Sequence, residues 1–190
     1  MADNKKRLSK FMSLVLRHQP EVAGLKLDTR GFCSIDSMLK AAKNHLRQDV
    51  TREDLEELST PSDDPQEKTR FEIEGDYIRA GHGHSIPITG YPSCLPDKPL
   101  YHASPRTVYK DIQTSGLKSM SRQKVHLSYD KAITLEAARR RSRDVILIEI
   151  KVSEALAAGI GFYTSADPRI ILSDEILAQF LIFHLEYQRG

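Results

Sequence analysis

The sequence predicts an α+β protein in two lobes, with helices and one hairpin first and alternating strands and short helices afterwards. In the first third, apolar residues recur at intervals of three and four positions, which is typical of amphipathic helices. Two short alternating stretches then flank Gly75 and Asp76, as in a β-hairpin. Four prolines follow within residues 86–99, and such stiff segments are typical of linkers. We therefore expect lobes at residues 1–85 and 100–190, joined by a proline-rich linker at 86–99.

The first predicted helix ends in a basic pair. One apolar stripe runs along it, and Pro20 ends it. The stripe consists of Leu8, Phe11, Met12, Val15 and Leu16. Arg17 and His18 therefore lie at the C-terminus of the helix, where the partial negative charge of the helix dipole favours cations. Complementing that dipole is one interpretation of the pair, and a role in a functional site is the other.

Two further helices and the hairpin complete the first lobe. Ser34 is a predicted N-cap, and Thr51 with Asp54 forms a predicted capping box. A polar loop at 59–68 leads to the hairpin at 70–79. Three helices followed by a hairpin is the order of a winged-helix module, which often binds nucleic acid, although fold alone does not establish that function.

Strand and helix patterns alternate in the second lobe. Strands are predicted at residues 100–103, 125–128, 145–152, 161–163 and 169–172. Helices are predicted around Ile112 and Leu135 and at 154–158, whereas 176–187 fits either a helix or a strand. The helix around Leu135 ends in the basic run 139–143.

The composition is ordinary for a globular protein, and we expect the chain to be cytoplasmic or, in a nucleated cell, nucleocytoplasmic. Hydrophobic residues make up 39% and charged residues 28% of the chain, the longest apolar run is too short to span a membrane, and the N-terminus lacks the apolar core of a signal peptide. Cys33 and Cys94 are too few for a disulfide framework or a structural zinc site. Since the net charge is only +2, any nucleic-acid site must be a local cluster of cations.

Common cofactor signatures are absent from the sequence. There is no GxGxxG after a strand, no GxxxxGK[ST], no GxSxG and no HExxH. The run Gly81, His82, Gly83, His84 and Ser85 offers backbone amides and side chains to a phosphate. A plain loop after the hairpin is the alternative interpretation, and a metal site is a weaker one, because no carboxylate or thiol lies nearby.

Two predicted strands each carry a histidine two residues before a serine. His102 precedes Ser104, and His126 precedes Ser128, so each pair points to one face of its strand. Two such pairs in one lobe indicate a shared cleft. The polar loop before the second strand would bring Arg122 to that cleft.

Together these motifs resemble, in order and spacing, the signatures of the tRNA 2'-phosphotransferase family. The motifs are Leu16-Arg17-His18-Gln19-Pro20, Arg70-Phe71, Ile78-Arg79-Ala80, Gly83-His84-Ser85, Tyr101-His102-Ala103-Ser104, Arg122 and Val125-His126-Leu127-Ser128. The resemblance implies a winged-helix RNA-binding lobe and an NAD-binding lobe of the ADP-ribosyltransferase fold, with a split β-sheet. It also implies that the protein is an enzyme of the transferase class. Such an enzyme removes the internal RNA 2'-phosphate left by one type of tRNA splicing.

The resemblance further implies how the reaction runs. The 2'-phosphate attacks NAD+ and expels nicotinamide, and a hydroxyl of the transferred ADP-ribose then attacks that phosphate. The products are RNA with a 2'-hydroxyl and ADP-ribose 1'',2''-cyclic phosphate.

The same resemblance assigns roles to residues. It makes Arg17, His18, Arg70 and Arg122 catalytic, and it assigns NAD binding to Gly83, His84, Ser85, His102, Ser104, His126, Ser128 and Ile170. It calls for NAD as co-substrate and for no metal. His82 departs from the family, which commonly has a polar amide at that position.

Other functions stay open on the sequence. One is an ADP-ribosyltransferase that caps terminal phosphates of RNA or DNA, so that ADP-ribose stays on the nucleic acid. A winged-helix protein that binds nucleic acid without catalysis and a metal-free nuclease that needs no NAD+ are the others. We expect a monomer whose partners are NAD and an RNA that bears a 2'-phosphate, in particular tRNA, and no membrane.

Overall fold

A computed structural model describes residues 2–60 and 69–185, and the chain divides into a first unit that ends at Tyr91 and a second that begins at Pro92. Helices and antiparallel sheets occur in this structure, so the predicted α+β class is confirmed. The predicted loop 59–68 lies mostly outside the described residues. The division between the units falls inside the predicted linker 86–99.

The first unit combines helices with a small antiparallel sheet. Its helices are α1 (Ala2–Arg17), α2 (Ile35–Leu46) and α3 (Arg52–Ser59), and its strands are β1 (Cys33–Ser34), β2 (Phe71–Glu74) and β3 (Tyr77–Ala80). The strand order is β1-β3-β2. The predicted hairpin is β2 and β3, in which Ile73 pairs with Ile78.

Local signals in the sequence explain where these helices begin. The Ser34 side chain accepts a hydrogen bond from the Ser37 amide at the start of α2, and Thr51 and Asp54 form both bonds of the capping box at the start of α3. The predicted apolar stripe of α1 is buried and packs into a core with α2, α3 and the sheet. That core includes Leu8, Phe11, Met12, Val15, Leu16, Met38, Ala42, Leu55, Phe71 and Ile78.

The second unit is built on a six-stranded antiparallel sheet in the order β7-β8-β5-β4-β6-β9. Its strands are β4 (Leu100–Pro105), β5 (Val125–Ser128), β6 (Val145–Ile150), β7 (Phe162–Thr164), β8 (Ile170–Ser173) and β9 (Leu181–His184). Its helices are α4 (Tyr109–Ser115), α5 (Lys131–Arg139) and α6 (Val152–Ala157). The two strands that carry the His-x-Ser pairs, β4 and β5, are neighbours in the middle of this sheet.

Two segments differ from the sequence prediction or resolve it. The strand predicted at 145–152 ends at Ile150, because Val152 begins α6. The ambiguous segment 176–187 forms a short 3-10 helix, Ala178–Phe180, and then β9, which pairs with β6; its last two residues lie outside the described part. Within residues 2–60 and 69–185, no helix is long and apolar enough to cross a membrane.

Candidate active site

In the first unit, the loop after β3 closes on the C-terminus of α1. The Ser85 amide donates to the Arg17 carbonyl at 2.9 Å, and the Ser85 hydroxyl lies 2.9 Å from His18 Nδ1. The Arg17 carbonyl and the His18 ring therefore both bond to the predicted phosphate loop. We call Arg17, His18, Arg70 and Ser85 the first-unit cluster.

The hydrogen bonds of Ser85 indicate which tautomer His18 adopts. Besides its contact with His18, the Ser85 hydroxyl donates to the Arg17 carbonyl at 3.4 Å. A hydroxyl has one proton to donate, so its oxygen accepts the bond from His18 Nδ1–H. In the neutral ring the lone pair then lies on Nε2, the nitrogen that can take up a proton.

The guanidinium of Arg17 is held in place by its neighbours. Its Nη2 donates to the Arg70 carbonyl at 3.3 Å, and its Cζ lies 6.0 Å from the centre of the Phe71 ring. Gly83 is also near this side chain: its φ of +85° favours glycine, and an added Cβ there would lie 3.6 Å from Arg17 Nη1. The Arg70 side chain is exposed and makes no ion pair within the described residues.

His84 anchors the same loop from inside the unit. It is only 1% exposed, and its Nδ1 lies 2.7 Å from the Tyr91 hydroxyl. Burial lowers the pKa of His84 to about 3, and the positive charge of Arg17 contributes. His84 is therefore neutral and interior. Sequence reasoning missed Tyr91, because no local motif connects it with His84.

In the second unit, the two His-x-Ser motifs come together on adjacent strands. His102 Nδ1–H donates to the His126 carbonyl at 2.9 Å, and His102 Nε2 accepts from the Ser104 hydroxyl at 3.1 Å. Burial lowers the pKa of His102, and the positive charges of Arg122 and Arg141 lower it further. The bond to the His126 carbonyl acts in the opposite direction and raises the pKa. A neutral His102 thus fixes the orientation of Ser104. We call His102, Ser104, Arg122 and His126 the second-unit cluster.

His126 is oriented through Lys124. Its Nδ1–H donates to the Lys124 carbonyl at 3.1 Å, so the lone pair of the neutral ring is on Nε2. The Lys124 ammonium donates to Asp174 at 2.5 Å and lies 4.0 Å from the centre of the Tyr163 ring. Asp174 is separated from Lys124 by 50 residues, and the pairing of β5 with β8 brings them together.

Ser128 and Ile170 pair with each other in the register of β5 and β8. Both are buried, and the Ser128 hydroxyl accepts from the Asp130 amide at 3.1 Å, at the turn into α5. The structure therefore gives Ser128 a local contact in that turn, and it gives Ile170 an apolar position at the start of β8.

Arg122 lies in a tight turn before β5. Its amide donates to the Ser119 carbonyl at 3.1 Å, and Met120 has a φ of 56°, a conformation that is uncommon for residues other than glycine. Although the residue is exposed, partial loss of hydration and the positive charge of Arg141 lower the pKa of Arg122. Arg141 was not predicted as a site residue. The sequence signal that could have pointed to it is its place in the basic run 139–143.

The family follows from comparison with known proteins. A family model described as "RNA 2'-phosphotransferase, Tpt1 / KptA family" matches residues 3–175. The chain belongs to the RNA 2'-phosphotransferase family. The family resemblance identified from the motifs is therefore confirmed.

Relatives from distant organisms support the same assignment, and each carries the name "Probable RNA 2'-phosphotransferase". One from Thermococcus kodakarensis is 40% identical over 164 residues, which cover 86% of this chain and 88% of the relative. One from Acetivibrio thermocellus is 36% identical over 180 residues, covering 93% and 96%. One from Rhizobium leguminosarum bv. trifolii is 34% identical over 175 residues, covering 92% and 91%.

For an RNA 2'-phosphotransferase, the two clusters supply three kinds of group. Arginine guanidiniums bind phosphate, and hydroxyls can bond to sugars. Histidines in fixed tautomers orient their neighbours or move protons. Among residues 2–60 and 69–185, no three His, Cys, Asp or Glu side chains are grouped as a metal site would require.

Proposed function

We propose that the protein removes an internal 2'-phosphate from RNA, with NAD+ as co-substrate, and that its substrate is a tRNA splice junction. The observation that carries the proposal is the family match over residues 3–175. The hydrogen bonds of His18 with Ser85 and of His102 with Ser104 add support to it. The released products would be RNA with a 2'-hydroxyl, nicotinamide and ADP-ribose 1'',2''-cyclic phosphate.

The arginines bind and position the RNA phosphate. A phosphate monoester is largely a dianion near neutral pH, so it needs positioning rather than deprotonation to act as a nucleophile. The Arg17 guanidinium is already oriented by the Arg70 carbonyl and the Phe71 ring, and so little conformational entropy is lost when it binds an anion. Arg70 and Arg122 have the same chemistry, and we assign them to the negative charge that the phosphate gains during the reaction.

His18 moves a proton at Nε2. Its bond with Ser85 holds Nδ1 in the protonated form, so Nε2 is the acceptor for the proton of an attacking hydroxyl. In the imidazolium form, the same Nε2–H donates to a phosphate oxygen. Ser85 is in this assignment a positioning residue for His18, in addition to its predicted place in the NAD-binding loop.

The second-unit cluster fits NAD+ through its hydrogen-bonding groups. When bound, NAD+ supplies an electrophilic ribose carbon with nicotinamide as the leaving group. The buried Ser104 hydroxyl and the Nε2 lone pair of His126 suit the hydroxyl groups of a ribose. His102 holds Ser104 in position through its neutral ring.

Element order supports a fold assignment for each unit. Three helices and a hairpin in the first unit are consistent with a winged-helix RNA-binding module, as predicted for residues 1–85. The six-stranded antiparallel sheet of the second unit is consistent with the ADP-ribosyltransferase-like lobe predicted for residues 100–190. We include both assignments in the proposal.

The test is to incubate the full chain, without added metal, with a short RNA that carries one internal 2'-phosphate. Conversion to the 2'-hydroxyl RNA that depends on NAD+ and releases nicotinamide would support the proposal. An RNA that keeps ADP-ribose would indicate the capping reaction instead. Absence of any reaction with or without NAD+ would contradict the proposed activity.

A matched pair of variants tests the role of Arg122. We expect Arg122→Gln to lower kcat by about 100-fold or more, the usual effect of losing one group that stabilises a transition-state charge, while RNA affinity changes little. Arg140→Gln is the control, because Arg140 is exposed and bound to Glu136 at 2.6 Å. Loss of RNA affinity with unchanged kcat in Arg122→Gln would contradict this role.

A further inference from the structure

The last residue of α5 and the loop that leads from it to β6 carry a concentration of positive charge that the proposed chemistry does not use. Within residues 139–143, which we call the basic loop, four of five side chains are arginines. Arg140 is bound to Glu136, whereas Arg139, Arg141 and Arg143 have no ion pair among the described residues. For a chain with a net charge of +2, this is a strong local cluster.

The acidic residue next to the basic loop does not neutralise it. Asp144 is bound at 2.9 Å to Arg106, which is not part of the basic loop. The Arg141 and Ser142 amides donate to the Ala138 carbonyl at 2.9 and 3.2 Å, and the Ser142 hydroxyl donates to the Asp144 carbonyl at 3.0 Å. Part of the loop backbone is thus hydrogen-bonded, and the arginines are exposed to solvent.

The basic loop adjoins the second-unit cluster. In the register of β4 and β6, Ser104 pairs with Ile146, and Pro105 pairs with Val145, which is two residues after the end of the loop. The positive charge of Arg141 also lowers the pKa of both His102 and Arg122. Placing cations side by side costs free energy unless an anion lies between or beside them. The repulsion therefore favours an anionic ligand that extends from Arg122 along the loop.

We propose that Arg139 and Arg143 bind the phosphodiester backbone of the RNA that flanks the reacting 2'-phosphate. Exposed guanidiniums on a surface loop suit a long polyanion, whereas a small ligand such as a dinucleotide is usually enclosed. Such contacts hold the RNA in place and carry no base specificity. This inference rests on the proposed function for the identity of the RNA, but the binding surface can be measured without the reaction.

The experiment measures the affinity of the full chain for a single-stranded RNA without a 2'-phosphate, by fluorescence anisotropy at several KCl concentrations. Each phosphate contact on a single strand contributes about 0.7 to the slope of log affinity against log salt. We therefore expect the double variant R139Q/R143Q to lower that slope by about 1.4. Between about 50 and 200 mM KCl, the wild type should then lose about sevenfold more affinity than the variant does.

Matched variants identify the cause of the change. R140Q, which removes a paired arginine of the same loop, should leave the slope at the wild-type value, and R139K/R143K should retain the slope because it keeps both charges. A slope in R139Q/R143Q equal to that of the wild type would overturn the proposal, and the loop would then be a solvated surface. A rise in the KM for NAD+ with an unchanged RNA slope would also overturn it, because the anion would then be the dinucleotide.

Turnover assays distinguish this inference from the proposed function. If the wild type fails to convert a 2'-phosphorylated RNA but R139Q/R143Q still lowers the salt slope, the RNA surface stands and the proposed activity fails. If turnover is normal and the slope does not change, the activity stands and the surface fails.

Discussion

Protonation of His84 should couple the stability of the first unit to pH. His84 is neutral and buried in the folded chain, with a pKa of about 3, against 6.5 for an ordinary histidine. Between these two values, the unfolded chain binds a proton that the folded chain does not, so the free energy of unfolding falls as the pH is lowered. Each pH unit contributes about 1.4 kcal/mol, which gives a loss of about 2 kcal/mol from about pH 6.5 to 5.

The assay is urea unfolding of the wild type and of His84→Asn, followed by circular dichroism because the chain has no tryptophan. Asparagine places an amide near the position of Nδ1 and removes the titrating group. We expect the wild type to lose about 2 kcal/mol more than the variant over this pH range. In the control Tyr91→Phe, His84 keeps its ring and the pH dependence should persist. Equal losses in wild type and His84→Asn would refute the reasoning.

Three further substitutions test other parts of the structure. Ser85→Ala should lower kcat about tenfold and alter its pH profile, because the tautomer of His18 is no longer fixed, while Ser85→Thr should restore activity; an unchanged profile would contradict the role of Ser85. Gly116→Ala should cost about 3 kcal/mol in thermal unfolding, since an added Cβ would overlap the Ile176 carbonyl and φ is +80°. Thr51→Ala should cost about 1 kcal/mol in the same assay, and Thr51→Ser much less.

Elements with local signals could be predicted from the sequence. The N-caps at Ser34 and Thr51 and the turn at Gly75 act through residues that are adjacent in the chain, and the structure has the corresponding helices and hairpin. The segment after residue 176 could not be decided in this way. Its last part is a strand because it pairs with β6, and β6 lies more than 30 residues earlier in the chain.

The candidate site follows the same division. His102 and His126 could be singled out by their spacing from serines, but the supporting contacts could not. Asp174 supports His126 through Lys124, and Tyr91 supports His84. Each of these partners is brought into contact by the tertiary structure and belongs to no motif, which is why the sequence alone does not reveal it.

In both units, arginines stand close to a histidine that burial keeps neutral. Arg17 and Arg79 act on His84, and Arg122 and Arg141 act on His102. If these histidines were charged, each would add a further positive charge to its group of arginines and increase the repulsion. Their neutrality therefore limits the repulsion within each group near neutral pH, and in the first unit Glu72, bound to Arg79 at 2.8 Å, limits it further. A protein with a small net charge can in this way present a strongly positive site to an RNA phosphate.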